Sequence, residues 1–214
     1  MTREYHKIQT LYLRDPANRH KTILDGKWAK PEFSFLAGVE WVFTEKVDGT
    51  NIRIIWDGSR VLFGGKTDNA QIPTPLLNHL WTMFTNDALA AVLKGPLIIY
   101  GEGYGPKIQN GGRYRSDAGF IAFDALADDV WLERETLEEI TTALGIPIVP
   151  IVGRGRPVDA AAMCREGFKS IIAEDSALDA EGIVLRPAVE LNDRRGNRVI
   201  SKLKLKDFRA GSGG

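Results

Sequence analysis

The first 35 residues of the chain are largely polar, with turn signals at Asp15-Pro16 and Asp25-Gly26. From Glu40 the texture changes. WVFTEKV (41–47), TNIRIIWDG (50–58) and RVLFGG (60–65) each read as a strand, and Asp57-Gly58 reads as a tight hairpin turn between the last two. Residues 73–94 predict one or two helices, with Pro73 or Pro75 near the start and Gly95 after the end. LIIYGEGY (97–104) is a strand, and GFIAFDAL (119–126) with VWL (130–132) a strand pair. ETLEEITTALG (135–145) predicts a helix stopped by Gly145. IPIVPIV (146–152) leans to strand, with Pro150 placing it at an edge or a bend. VDAAAMCREG (158–167) is a short helix, and EGIVLRP (181–187) and RVISKLKLKDF (198–208) are closing strands. Strands come in hairpin-like groups with helices between the groups. The fold class is therefore α+β with mostly antiparallel sheet. One domain is expected over residues 1–208, followed by a flexible tail at 209–214.

Composition narrows this only a little. The 214 residues are 43% hydrophobic and 26% charged, enough for one substantial core or two small ones. No apolar run approaches the roughly 20 residues that span a bilayer, and MTREYHKIQT lacks the apolar stretch of a secretory signal. The single cysteine, Cys164, has no internal disulfide partner, which points to a reducing, cytoplasmic setting. The 28 basic and 28 acidic side chains cancel, so any nucleic-acid surface must be a local patch. GGRYRS (111–116), with Arg113 and Arg115 beside Tyr114, is a candidate for one.

Candidate chemistry begins at EKVDGTNIRI (45–54), where Lys46 follows an apolar strand and Gly49 permits a backbone bend before the next. Alone, KVDG reads more readily as an ordinary exposed lysine in a hairpin. Three distant segments add to it. Glu102 ends the apolar strand in IIYGEGYG, Glu181 stands at the mouth of EGIVLRP, and SKLKLKDF alternates with period two. That alternation puts Lys202, Lys204 and Lys206 on one face and Leu203 and Leu205 on the other. A guarded edge strand would show the same lysine row.

KVDG, IIYGEG, GFIAFD, EGIVLR and KLK, in that order, resemble the nucleotidyltransferase motifs of the covalent ligase and capping-enzyme superfamily, over roughly residues 40–208. Within it the chain most resembles the phage-type RNA ligases of the double-strand RNA-repair kind. Asn51 after KVDGT and the segment GGKTDNAQIP (64–73) carry that likeness. The resemblance implies an adenylation-domain fold and three steps. A lysine attacks the α-phosphate of ATP, AMP passes to a 5′-phosphate end, and a 3′-hydroxyl displaces AMP.

Attack requires a neutral amine, and at a reference pKa near 10.4 only about one lysine in two thousand is neutral at pH 7. Burial and neighbouring cations correct this, so Glu45 is expected to point away from the nucleophile. The resemblance implies Lys46 as the nucleophile and Lys202 and Lys204 at the α-phosphate. It implies Glu102 on the ribose hydroxyls and Phe120 stacked on adenine, although GFIAF reads equally as core. It further implies Glu181 on a Mg2+ or Mn2+ ion, Asn51 on the 5′-phosphate or the leaving AMP, and backbone groups of Glu45 and Val47 on the adenine edge. Lys66 stands where related ligases usually have arginine, and a point charge replaces a fork there.

After Lys204 ten residues remain, too few for an OB or C-terminal helical domain, so the sequence is read either as a catalytic core alone or as a truncated chain, with a partner protein one candidate source of a clamp. The expected protein is a monomeric, intracellular RNA ligase acting on nicked-duplex or single-stranded RNA ends, without membrane contact and of a phage-like kind. The alternatives are a DNA ligase or capping-type guanylyltransferase core, or a non-catalytic nucleic-acid-binding module.

Overall fold

The computed structural model describes residues 3–209. The expected tail lies outside the described residues from residue 210 onward. In chain order the elements are β1 (Gln9–Thr10), β2 (Tyr12–Arg14), β3 (Ile23–Trp28), α1 (Pro31–Phe35), β4 (Trp41–Lys46), β5 (Thr50–Trp56), β6 (Val61–Gly64), α2 (Thr74–Met83), α3 (Asn86–Val92) and β7 (Leu97–Tyr104). They continue with β8 (Gly119–Ala127), β9 (Val130–Trp131), α4 (Arg134–Leu144), β10 (Ile151–Gly155), α5 (Pro157–Glu166), β11 (Gly182–Pro187), β12 (Ser201–Lys204) and α6 (Leu205–Arg209). The chain forms two compact units. Residues up to 6, 47–149 and 173–175 make the first, and 7–46, 150–172 and those from 176 onward make the second.

The first unit holds a five-stranded sheet in the order β6-β5-β7-β8-β9, every pair antiparallel. Side chains alternate across it. Ile52, Ile54, Trp56 and Ile99 face a core completed by Leu76, Leu80 and Phe84 of the α2 region, Leu89 of α3 and Leu137 of α4. On the opposite face Ile55, Ile98, Tyr100 and Leu126 pack with Tyr5 and Trp131. The hairpin between β5 and β6 is real, but its loop has four residues. Asp57 N–H donates to the Arg60 carbonyl and Trp56 pairs with Val61, because the Asp57 carboxylate also caps the N–H groups of Ser59 and Arg60.

The second unit holds the sheet β1-β12-β11-β4-β10 and the hairpin β2-β3. Trp41, Phe43, Ile183, Leu185 and Leu203 face a core with Ala160, Ala161 and Cys164 of α5. β10 is an edge strand, as Pro150 led us to expect. β12 is not an edge, since it lies between β1 and β11. It also stops at Lys204, so Lys206 does not extend the lysine row. Leu205 and Phe208, three apart on one helical turn, both reach the core, and Asp207 takes a two-pronged bond from Arg14 at 3.0 Å. These contacts favour a helix there over a longer strand. The polar first 35 residues do hold strands. The β2-β3 pair is joined by Tyr12 opposite Trp28, whose rings lie 5.2 Å apart.

Candidate active site

β4 and β5 flank KVDG but belong to different sheets, so Lys46 is not a hairpin lysine. It is the last residue of β4, and Val47 begins the 47–149 segment of the first unit. Gly49 has no left-handed backbone. A Cβ there would run into the Gly103 carbonyl and the Glu102 side chain, so close approach to β7 is what requires glycine.

In the second unit the register of three strands assembles a cationic face. Gly182 of β11 pairs with Lys46 on one side and Lys204 on the other. One row of the sheet therefore reads lysine, glycine, lysine, across roughly 10 Å of two strand spacings. A Cβ at Gly182 would meet the Leu203 carbonyl and Lys204 Cα, so the backbones could not close as they do. Glu181, one residue earlier, bridges the two cations. Its Oε2 lies 2.6 Å from Lys46 Nζ and its Oε1 lies 2.5 Å from Lys204 Nζ. Lys202 lies two residues before Lys204 on the same face of β12. Burial holds its pKa below the usual lysine value, and the charges of Lys46 and Lys204 push in the same direction.

Glu45 points away from this face, as expected. Strand alternation turns it to the core side, where it is buried. Its carboxylate accepts from Ser170 Oγ at 2.5 Å and from the Ile171 N–H at 2.9 Å. Burial still pushes its pKa up, against those hydrogen bonds. Its own N–H donates to the Pro150 carbonyl, so that group is not available to an adenine edge.

In the first unit Asn51 and Glu102 are direct partners across β5 and β7, both half-buried. Asn51 Oδ1 is buried with no hydrogen-bond partner among the described residues. Phe120 does not join them. It is 1% exposed, meets Phe84 edge-to-face at 5.4 Å, and its ring covers Gly101 on the core face of the sheet. Alternation puts Glu102 on the other face, and the residue across from it on β8 is Ile121. The core reading of Phe120 therefore replaces the stacking one. Val47 is buried and Lys66 exposed.

Sequence reasoning missed Arg53, Ser170 and Asn110. Arg53 is 1% exposed. Its Nε donates to the Gly65 carbonyl at 2.9 Å and its Nη2 pairs with Asp68 at 2.8 Å, pinning the loop on both sides of Lys66. A charge inside TNIRIIW was the available signal. Asn110 Nδ2 donates to Asp48 Oδ2 at 2.6 Å. Neither Asn110 nor Ser170 carries a local pattern that announces these contacts.

Residues 39–204 match the family model for RNA ligases. The chain belongs to the RNA ligase family. Among solved structures it is similar to a variant of Naegleria gruberi RNA ligase with ATP and Mn, at a TM-score of 0.65 and 16% identity over 84% of this chain and 54% of that one. A variant of the same enzyme with AMP and Mn gives a TM-score of 0.64 at 16% identity, covering 81% and 52% of the two chains. The form with PPi gives 0.61 at 16% identity over the same shares, 81% and 52%. At that identity the likeness establishes the α+β fold of an RNA ligase. This RNA ligase family member spans about half the length of the structures it matches. Among its described residues no helix is long and apolar enough to cross a membrane.

Proposed function

We propose that this chain is the adenylyl-transfer core of an ATP-dependent RNA ligase, with Lys46 as its nucleophile. The observation that carries the reading is the row Lys46–Gly182–Lys204 with Glu181 bridging its two cations. A lysine placed among other ammonium groups on a half-buried face suits attack on a polyphosphate.

In the first step Lys46 Nζ attacks the α-phosphorus of ATP. The N–P bond forms, the bond from that phosphorus to the bridging oxygen breaks, and pyrophosphate leaves with the bond's electron pair. The amine proton has Glu181 Oε2 as an acceptor 2.6 Å away. Lys202 and Lys204 offset the charge that develops on the α-phosphate oxygens. In the first unit Glu102 is the residue that the family pattern assigns to ribose hydroxyls, and Asn51, whose Oδ1 has no partner among the described residues, the one it assigns to a 5′-phosphate or leaving AMP. Lys66, held out by the loop that Arg53 pins, meets a phosphate as a point charge.

Glu181 suits a divalent metal in one specific manner. Among the described residues no group of three or more His, Cys, Asp or Glu forms a cage. A single carboxylate would suit an ion that keeps water and nucleotide phosphates as its other ligands, as magnesium does, and Glu181 would release one of its two ammonium partners to hold it. When bound, such an ion supplies positive charge to the phosphates.

The subsequent joining of a 3′-hydroxyl to the adenylylated 5′-phosphate, and any separate clamp on the RNA, extend the same reading. The test is to incubate the protein with labelled ATP or GTP and a divalent metal, then denature it. Label retained from ATP and lost in Lys46→Ala is expected. No covalent label at any metal or pH would sink the proposal. Nicked-duplex and single-stranded RNA substrates then identify the preferred end.

A further inference from the structure

The loop between β7 and β8 is built rather than slack. Gly105 takes φ +129, and Lys107 and Gln109 hold left-handed φ values of 65 and 50. Non-glycine residues in that region cost on the order of 1 kcal/mol each and persist only where surrounding contacts fix them. Those contacts are present. Ile108 and Tyr114 are buried, and Tyr104 meets Tyr114 edge-on at 5.9 Å. The Gly111 N–H donates to the Ile108 carbonyl at 2.8 Å, and a Cβ at Gly111 would strike the Gly105 backbone. Asn110, at the tip, is bonded to Asp48 of the KVDG segment.

This fixed loop presents unpaired positive charge. In the first unit Arg3, Arg53, Arg60, Arg115 and Arg134 each have a carboxylate within 4 Å. Among the described residues of that unit, Arg113 is the one arginine without such a partner, and Lys107 has none either. Both are exposed and lie three residues to either side of Asn110. Tyr114 is buried, so the loop offers cations and no stacking ring. In a chain of zero net charge, a local patch of this kind is where a polyanion binds.

We propose that the 105–116 loop is a docking element for the RNA backbone, with Lys107 and Arg113 each holding a phosphate and Asn110 tying the docked strand to the KVDG segment. The proposal rests on the ligase reading for its choice of polyanion. It assigns this loop to phosphate contact alone, leaving sequence and adenylyl transfer to other residues.

The test is Lys107→Asn/Arg113→Gln in the full chain, asparagine being tolerant of the left-handed backbone at 107. Affinity for a labelled single-stranded RNA is measured against salt concentration, beside covalent labelling from ATP. We expect RNA affinity at low salt to fall at least fivefold. The slope of log affinity against log salt should shrink by roughly 1.4, about 0.7 for each lost phosphate contact. ATP labelling should stay within twofold. Lys94→Ala, an exposed lysine of the same unit, should leave both unchanged. An equal loss on single-stranded DNA also supports the loop, since a phosphate contact ignores the sugar. Unchanged RNA affinity and slope in the double variant, or the same loss in Lys94→Ala, would overturn it. So would a wild-type protein that takes label from ATP and binds no RNA. A wild type that binds RNA through this loop but takes no label would leave this proposal standing and end the adenylyl-transfer one.

Discussion

Lys46 Nζ and Glu181 Oε2 lie 2.6 Å apart, while the other oxygen of the same carboxylate holds Lys204. The contact aims the amine and spaces the two lysines. Glu181→Ala and Lys204→Ala should each lower the rate of covalent labelling from ATP by about a hundredfold, the usual scale for a lost electrostatic contact at a reacting phosphate. Stability should change by only on the order of 1 kcal/mol, because these groups remain partly open to water. Rapid-quench labelling and urea melts separate the two effects.

Gly182→Ala should destabilise the fold by about 1–3 kcal/mol, because the new methyl would overlap backbone atoms of β12. Gly49→Ala should behave alike against the Gly103 carbonyl. Gly38→Ala, where a Cβ meets nothing within 4 Å, should stay within about 0.5 kcal/mol of wild type. Urea midpoints at constant m give the comparison.

Glu45→Gln tests the buried carboxyl. Burial raises its pKa in the folded state. Its favourable contribution is therefore complete below the unfolded carboxylate pKa and is lost as pH rises through the raised value. Glutamine can accept from the Ile171 N–H through its oxygen and donate its amide N–H to Ser170 Oγ, without ionising. The variant should be more stable than wild type at pH 7 and match it near pH 4. An equal difference at both pH values would show that ionisation is not the cause.

Phe120→Ala should cost about 3–5 kcal/mol, as for a filled core position. Phe120→Leu should keep ATP labelling within about threefold. An adenine platform would lose labelling in both variants, so the leucine variant separates the two roles.

Cys164 should resist thiol reagents at pH 8 in the native protein and react at once in denaturant. It is fully buried on the face of α5 that joins the core of the second unit, and burial pushes its pKa up to about 12. Reaction of the folded protein at the unfolded rate would contradict this.

Most elements from β4 onward were legible because their apolar runs are long and punctuated by Gly, Pro and Asp-Gly. The lysine face was legible because KVDG, EGIVLR and KLK keep a recognisable order. β1 was not, since two residues pairing with a strand nearly two hundred positions away leave no local period. The helical turn after Lys204 was hidden because KLKLKDF satisfies both periods, and Arg14 and the core decide between them. Phe120 was ambiguous because the face of β8 depends on its register with β7, including a slip between Tyr100 and Gly101. Asn110 and Ser170 act through contacts that only the folded chain creates.

The order of strands in the second sheet bears on how the molecule is made. β12 ends at residue 204 and lies between β1, which starts at residue 9, and β11. The central stretch 47–149 can complete the other sheet while synthesis is still under way. The strand bearing Lys202 and Lys204 is added only after that stretch and after β10 and β11. A chain that has closed the sheet of the first unit therefore still lacks the strand that separates β1 from β11, and β1 waits for a partner nearly two hundred residues further along.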